Sequence, residues 1–90
     1  MYQLFLTNEF DSGLDKITSR DRQSIEKKIN DYMAPQIKIE PHYGPNIKKL
    51  KGYNPETWRY RIGRYRLFYV INESESRVDF ISIDQRKDAY

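Results

Sequence analysis

The chain has 90 residues, no cysteine and a formal net charge of +3 at pH 7, and its length predicts a single domain over residues 1–90. Because cysteine is absent, disulfides and thiolate metal sites are excluded, and a reducing cytoplasmic setting is favoured. No apolar run approaches the ~20 residues of a membrane helix, and the first residues lack the charged flank of a signal peptide.

The positive charge is concentrated in the second half of the chain. Residues 1–45 carry six lysines or arginines against seven acids, whereas residues 46–90 carry ten against six. Between Lys48 and Arg66 there are seven basic residues and one acid, Glu56. Such a local field favours a polyanionic partner, which is a nucleic acid, an acidic protein segment or an anionic membrane.

The first half predicts one short strand and two helices. Residues 2–6 form a β-type run, and Thr7 or Asn8 can cap the helix that follows. Apolar side chains then recur at helical spacing, first at Phe10, Leu14 and Ile17, and, after a capping box at Thr18-Ser-Arg-Asp21, at Ile25, Ile29, Tyr32 and Met33. Gly13 weakens the first helix. Residues 8–33 are therefore predicted to form a helical hairpin.

The next segment, residues 34–56, contains all four prolines and two of the four glycines. Proline fixes φ and lacks a backbone donor, so this segment is predicted to be mostly loop. One turn of helix carrying Ile47 and Leu50 is the only regular element expected in it. A loop this long in a small domain is often functional.

After residue 56 the hydrophobic period changes to two, which is typical of strands. Residues 58–62 and 65–72 are joined by a tight turn at Gly63-Arg64, and a second turn at 73–76 leads into a strand over 77–84. We therefore predict an α+β fold with the order β-α-α-β-β-β. The helical hairpin packs on one face of a small, mainly antiparallel, twisted sheet, and basic residues occupy the other face.

The segment TWRYRIGRYR, residues 57–66, holds four arginines. Residues i and i+2 of a strand share a face, so Arg59 and Arg61 point away from the helices, and Arg66 lies beside them across the turn. Guanidiniums that close repel one another unless an anion sits among them, and their planar fork of donors suits phosphate. The alternative is that they are solvated arginines on the face of the strand, some of them paired with Glu73, Glu75 or Asp79.

The residue inventory excludes several catalytic schemes. His42 is the single histidine, so a two-histidine nuclease and a His-rich metal site are excluded, and we expect it to be an ordinary loop residue. The carboxylates are dispersed, and no Gly-rich phosphate loop precedes a helix. Arg, Lys and Tyr remain, and they suit RNA cleavage by the substrate's own 2′-hydroxyl. The proton-transfer groups stay unassigned, because guanidinium does not titrate near neutrality.

The order and spacing of several segments resemble the RelE/ParE superfamily of toxins from toxin–antitoxin systems. These segments are Lys49-Leu-Lys-Gly52, Trp58-Arg-Tyr-Arg-Ile-Gly-x-Tyr-Arg66, Leu67-x-Tyr69 and the ending Gln85-Arg-Lys-Asp-Ala-Tyr90. The resemblance covers nearly the whole chain. It implies a RelE-type mRNA interferase, a metal-independent endoribonuclease without cofactors that cleaves mRNA in the ribosomal A site by 2′-hydroxyl attack.

The resemblance also implies roles for individual residues. The catalytic set is Arg59, Arg61, Arg66, Arg86 and Tyr90. Within it, Arg66 contacts the phosphate, Arg86 stabilises charge or protonates the leaving group, and Tyr90 stacks on or orients a base. The basic residues expected to bind RNA or the ribosome are Lys48, Lys49, Lys51, Arg64 and Lys87.

Two other functions remain open. ParE-type members of the superfamily inhibit DNA gyrase by binding and cut nothing. A non-catalytic RNA-binding module, with strand aromatics such as Tyr65 or Phe68 stacking on bases, is the third possibility. Either toxin reading implies a cognate antitoxin, expected to be acidic and to wrap the basic face in a heteromeric complex.

Overall fold

The computed structural model describes residues 1–85. Its elements are β1 (Gln3–Leu6), α1 (Asn8–Asp15), α2 (Ser19–Lys28), a π-helical turn (Ile29–Met33), α3 (Ala34–Ile39), β2 (Ile47–Lys49), β3 (Trp58–Ile62), β4 (Tyr65–Asn72) and β5 (Arg77–Gln85). The predicted α+β class is confirmed. Over the described residues, the helices are all too short or too polar to cross a membrane.

The five strands form one sheet in the order β1-β5-β4-β3-β2. β1 runs parallel to β5, and the other three pairs are antiparallel. Alternate residues of the central strands are buried against the helices in one core. Its members are Phe10, Leu14, Ile25, Ile29, Met33, Ile37, Trp58, Tyr60, Ile62, Tyr65, Leu67, Tyr69, Val78 and Phe80. Within residues 1–85, the opposite face of the sheet carries no helix.

Both predicted helix starts are capped by threonine. Phe10 N–H donates to Thr7 Oγ1 at 3.2 Å, and Asp21 N–H donates to Thr18 Oγ1 at 3.4 Å. Each bond satisfies one of the backbone donors that the first turn of a helix leaves unpaired. Gly13, which costs helix propensity, lets α1 approach the sheet, because a Cβ there would lie 2.6 Å from Cγ2 of Ile83.

The second helix extends beyond the predicted end at residue 33. The π-helical turn changes the hydrogen-bond register, so that Ala34 N–H donates to the carbonyl of Ile29. Pro35 then falls in the first turn of α3, where a missing N–H is tolerated. The proline therefore shifts the helix register without ending the helix, and Ile37 joins the core.

The expected helical turn around Ile47 and Leu50 is also wrong, because this segment forms β2. Ile47 lies opposite Tyr60, and Lys48 lies opposite Arg59 in the antiparallel pair with β3. Beyond the ends of β2, Arg61 N–H donates to the Asn46 carbonyl at 3.0 Å, and Leu50 N–H donates to the Thr57 carbonyl at 2.9 Å. The open edge of β3 thus organises a segment whose local sequence favours turns.

β5 contains a β-bulge at Ile81. Phe80 lies opposite Tyr69, whereas Ser82 lies opposite Phe68, so Ile81 is an extra residue on its strand. Residues of β5 beyond the bulge therefore face the side of the sheet opposite to the one that simple alternation from Val78 and Phe80 predicts. As a result, Ile83 packs against the core, and Asp84 lies on the helix-free face of the sheet.

Candidate nucleic-acid interface

The helix-free face of the sheet carries a groove of about 630 Å³. Its lining residues are Lys48, Leu50, Tyr53, Arg59, Arg61, Arg66, Phe68 and Asp84. Four of them are basic and one is acidic, so the groove has a net positive charge. We call it the basic groove.

Strand pairing brings the basic side chains together. Arg61 lies directly opposite Arg66 across β3 and β4, and Lys48 lies opposite Arg59 across β2 and β3. Side chains at such positions are separated by ~5 Å at Cβ. Gly63, with φ of 58°, forms the two-residue turn that sets this register. The structure therefore groups Arg59, Arg61 and Arg66 as the strand alternation predicted, and β2 adds Lys48.

Arg66 has two neighbouring groups in the basic groove. Its Nη2 donates to Asp84 Oδ2 at 2.9 Å, and its guanidinium carbon lies 5.7 Å from the ring centroid of Phe68. Its Nε is buried and has no hydrogen-bond partner among the described residues. A buried donor without a partner is unfavourable, so the arginine would gain free energy if its side chain turned toward an acceptor in the groove.

The acids considered as alternative partners for the groove arginines are bonded to other residues. Glu73 accepts hydrogen bonds from Tyr2 and His42. Arg77 forms ion pairs with Glu75 and Asp79. Its Nε lies 3.0 Å from Oδ1 of Asp79. Each of these three acids therefore has a partner outside the basic groove, and the acid in the groove is Asp84.

The structure separates the residues expected to bind RNA or the ribosome. Lys49 lies on the opposite face from Lys48, with its Nζ 2.8 Å from Glu56 Oε2 and 5.7 Å from the ring centroid of Trp58. Lys51 is exposed in the loop after β2, and Arg64 lines a hollow on the helix side of the sheet. The remaining predicted site residues, Arg86, Lys87 and Tyr90, lie outside the described residues.

His42 joins the loop after α3 to two other parts of the fold. Its Nε2 lies 2.5 Å from Glu73 Oε2, and its Nδ1 lies 2.7 Å from Glu40 Oε2. The hydrogen bond to Glu73 raises the pKa of His42, with a smaller contribution from Glu40. The backbone N–H of His42, and after it the ring, lowers the pKa of Glu40. The ring of His42, and after it the Tyr2 hydroxyl, lowers the pKa of Glu73. His42 lines a different hollow from the basic groove, so it is a structural link and is more than the ordinary loop residue expected.

The strand tyrosines lie on the core side and are poor proton carriers for the basic groove. Burial and a 2.8 Å hydrogen bond to Asp21 raise the pKa of Tyr65. Burial also raises the pKa of Tyr69, whose hydroxyl donates to the Pro41 carbonyl. Among residues 1–85, Tyr53 is the tyrosine that lines the groove. The sequence does not reveal this position, because Tyr53 lies in a loop and loop side chains do not alternate between two faces as strand side chains do.

Comparison with known families agrees with this architecture. The sequence profile described as the ParE toxin of the type II toxin–antitoxin system parDE matches residues 4–90. The chain therefore belongs to the ParE toxin family, and it is a toxin of a toxin–antitoxin system. A comparison with curated protein sequences gives no significant match.

Several solved structures share the fold. In the RelBE2 toxin–antitoxin complex from Mycobacterium tuberculosis, the matching chain is 24% identical, with a TM-score of 0.72 over 94% of this chain and 98% of that one. The YoeB/ParE toxin from Agrobacterium tumefaciens is 23% identical, with a TM-score of 0.72 over 94% and 99%. The isolated RelE toxin of E. coli is 22% identical, with a TM-score of 0.71 over 99% and 88%.

Proposed function

We propose that this toxin is a metal-independent endoribonuclease, an mRNA interferase that cleaves mRNA in the ribosomal A site. The observation that supports this function is the convergence of Lys48, Arg59, Arg61 and Arg66 on one groove of the helix-free face. A cluster of this charge, with one acid beside it, is suited to a phosphodiester.

The chemistry requires few protein groups, because RNA supplies its own nucleophile. The 2′-hydroxyl loses its proton to water as its oxygen bonds to the adjacent phosphorus. The bond from phosphorus to the 5′-oxygen breaks and that oxygen takes up a proton, which leaves a 2′,3′-cyclic phosphate and a 5′-hydroxyl. The protein orients the 2′-oxygen in line and stabilises the charge that builds on the phosphoryl oxygens. In this proposal, Arg59, Arg61 and Arg66 provide that stabilisation through their donor forks.

The resemblance to RelE-type toxins adds two residues to the proposed site. Arg86 would stabilise charge or protonate the 5′-oxygen, and Tyr90 would stack on or orient a base of the codon. In this proposal, Lys49, Lys51, Arg64 and Lys87, together with Lys48 in the groove, contact RNA or the ribosome. The spread of Lys48, Lys49, Lys51 and Arg64 over several surfaces suits a ribosome, which surrounds a ligand with RNA phosphates on several sides.

The proposed partner for storage is an acidic cognate antitoxin in the cytoplasm. Solved structures of the same fold include RelB–RelE complexes from Pyrococcus horikoshii and Methanococcus jannaschii. An acidic segment laid over the basic groove would replace the phosphate as counter-charge and block substrate.

The function is tested by mapping mRNA 5′ ends after brief induction. We expect new 5′-hydroxyl ends within translated codons, and far fewer of them for Arg66→Ala, Arg86→Ala or deletion of Tyr90. Arg20→Ala, an exposed arginine on α2, is the matched control and should cleave normally. Cleavage that persists in all three site variants would contradict the site assignment.

A second candidate function is inhibition of DNA gyrase by binding, and the match to the ParE family profile favours it. In that case the basic groove would bind gyrase or its DNA. Induction would then cause supercoiling defects and DNA damage signalling while mRNA stays intact. The same induced culture therefore separates the two candidates.

A further inference from the structure

Tyr53 is an aromatic residue placed at the basic groove without a role in the core. It lines the groove together with Arg59, Arg61 and Arg66. Its side chain is 57% exposed, although burying an aromatic ring of this size is favourable. The free energy that would come from burial is therefore still available to a ligand.

The loop that carries Tyr53 is held at both ends. Leu50 N–H donates to the Thr57 carbonyl at 2.9 Å, and Thr57 Oγ1 donates to the Pro55 carbonyl at 3.0 Å. Thr57 itself is buried, and Lys49 pairs with Glu56 across the loop. Because the loop is fastened in this way, it presents the ring beside the groove before a ligand arrives, which lowers the entropy cost of binding.

Other aromatic residues near the arginines are already occupied. Phe68 lies under the guanidinium of Arg66, with 5.7 Å between the ring centroid and the guanidinium carbon. Tyr65, which the strand pattern offered together with Phe68 as a base-stacking residue, is only 7% exposed and faces the helices. Among the described residues that line the groove, Tyr53 is thus the aromatic ring with an open face.

We propose that Tyr53 is a stacking platform for an unpaired nucleobase of the RNA whose phosphate is bound by Arg59, Arg61 and Arg66. This inference rests on the proposed function in taking RNA as the ligand. A base in a duplex is already stacked on its neighbours, so an aromatic ring adds affinity only for a single-stranded segment. The arginines supply affinity that does not depend on sequence, and Tyr53 adds selectivity for unpaired nucleotides next to the bound phosphate.

Equilibrium binding to short oligonucleotides tests the proposal. The probe is a 2′-O-methyl RNA hexanucleotide, which cannot be cleaved, and the comparison probe is an abasic hexanucleotide with the same number of phosphates. We expect Tyr53→Ala to weaken binding of the first probe by about 5- to 150-fold and to leave binding of the abasic probe unchanged. Tyr53→Phe and Tyr53→Trp should bind both probes as the wild type does.

The matched control is Tyr43→Ala. Tyr43 is 78% exposed in another loop and does not line the basic groove, so its removal should change neither affinity. If Tyr53→Ala binds the hexanucleotide as tightly as the wild type, or loses affinity equally for both probes, the stacking role is refuted. The salt dependence of binding should be the same in Tyr53→Ala as in the wild type, because the phosphate contacts are retained.

Failure of this inference can be told apart from failure of the proposed function. A chain that cuts no RNA but shows the base-dependent loss in Tyr53→Ala would contradict the nuclease while retaining the stacking platform. A chain that cleaves mRNA, and whose Tyr53→Ala variant binds and cleaves normally, would retain the nuclease and contradict the platform.

Discussion

Arg66 and Asp84 lie directly opposite each other on β4 and β5, and Nη2 of Arg66 donates a 2.9 Å hydrogen bond to Oδ2 of Asp84. The carboxylate is the more exposed partner, at 59% against 30% for the arginine side chain. An exposed ion pair of this kind contributes little to stability. Its main effect is electrostatic, because it places one negative charge inside a groove that otherwise attracts anions.

Asp84 should therefore weaken the binding of RNA by competing with phosphate for Arg66. We expect Asp84→Asn to bind a short single-stranded RNA about threefold to tenfold more tightly at low salt. The difference should shrink as salt screens the groove. Fluorescence anisotropy over a salt series measures both effects. The control is Asp79→Asn, because Asp79 lies on the same face of the sheet but is paired with Arg77. Weaker binding by Asp84→Asn would contradict the prediction and show that the carboxylate contacts the RNA itself.

Arg61 is exposed, and no ion pair to it occurs among the described residues. In the proposed nuclease it acts on the transition state, so Arg61→Ala should lower single-turnover cleavage by roughly 10²- to 10³-fold. Arg61→Lys keeps the charge but loses the fork of donors, and we expect an intermediate rate. Equal thermal melting of the three proteins would show that the fold is intact. Full activity of Arg61→Ala would remove this residue from the site.

The contacts of His42 predict a stability maximum in mildly acidic solution. Its raised pKa means that its contribution is complete below the ordinary value of 6.5 and is lost as pH rises through the folded value. The lowered pKa values of Glu40 and Glu73 mean that their contribution is complete above about 4.5 and is lost as pH falls through the folded values.

Thermal melting between pH 4 and pH 9, on the order of ten buffers, tests this pH dependence. The wild type should lose stability on the alkaline side as His42 deprotonates, and His42→Gln should show a flatter alkaline limb. Tyr2→Phe, which removes only the neighbouring hydrogen bond to Glu73, should keep the alkaline decline. An identical decline in His42→Gln would assign the effect to another group.

Replacing Gly13 by alanine should lower the stability of the protein, whereas the same change in most helices raises it. In an exposed helix the change to alanine stabilises by about 1 kcal/mol. Here the added Cβ would lie 2.6 Å from Ile83 Cγ2, so we expect Gly13→Ala to destabilise by about 1–3 kcal/mol through overpacking. Urea unfolding measures the difference. The control is Ser12→Ala, at an exposed position on the same helix. Adding Ile83→Ala to Gly13→Ala should remove the clash and restore stability. If Gly13→Ala is instead more stable than the wild type, α1 can shift away from the sheet without cost.

The strand alternation was sufficient to place most of the basic groove. Trp58, Tyr60 and Ile62 are apolar and buried, so Arg59 and Arg61 are forced onto the other face, and the glycine turn brings Arg66 beside them. Alternation did not predict that Lys48 and Lys49 lie on opposite faces of the sheet. Adjacent residues of a strand face opposite ways, but a three-residue strand is too short to produce a recognisable period, and its partner strand determined its conformation.

Asp84 could not have been placed from the sequence. Simple alternation from Val78 and Phe80 puts Ser82 and Asp84 in the core and Ile83 outside. The bulge at Ile81 reverses all three assignments. A bulge is a property of strand pairing, so β5 alone carries no signal for it. Pro35 was misread for a related reason, because the π-helical turn that accommodates it depends on tertiary packing of the whole helical segment.

The extra residue in β5 also constrains how this surface can change over time. Loss of the codon for Ile81 would turn the distal half of the strand over, so that a carboxylate would be driven under α1 and an isoleucine would enter the groove. Insertions or deletions of two residues would preserve the pattern, whereas single ones would scramble it. Variation in charge along this margin is therefore expected to arise by substitution far more readily than by changes in length.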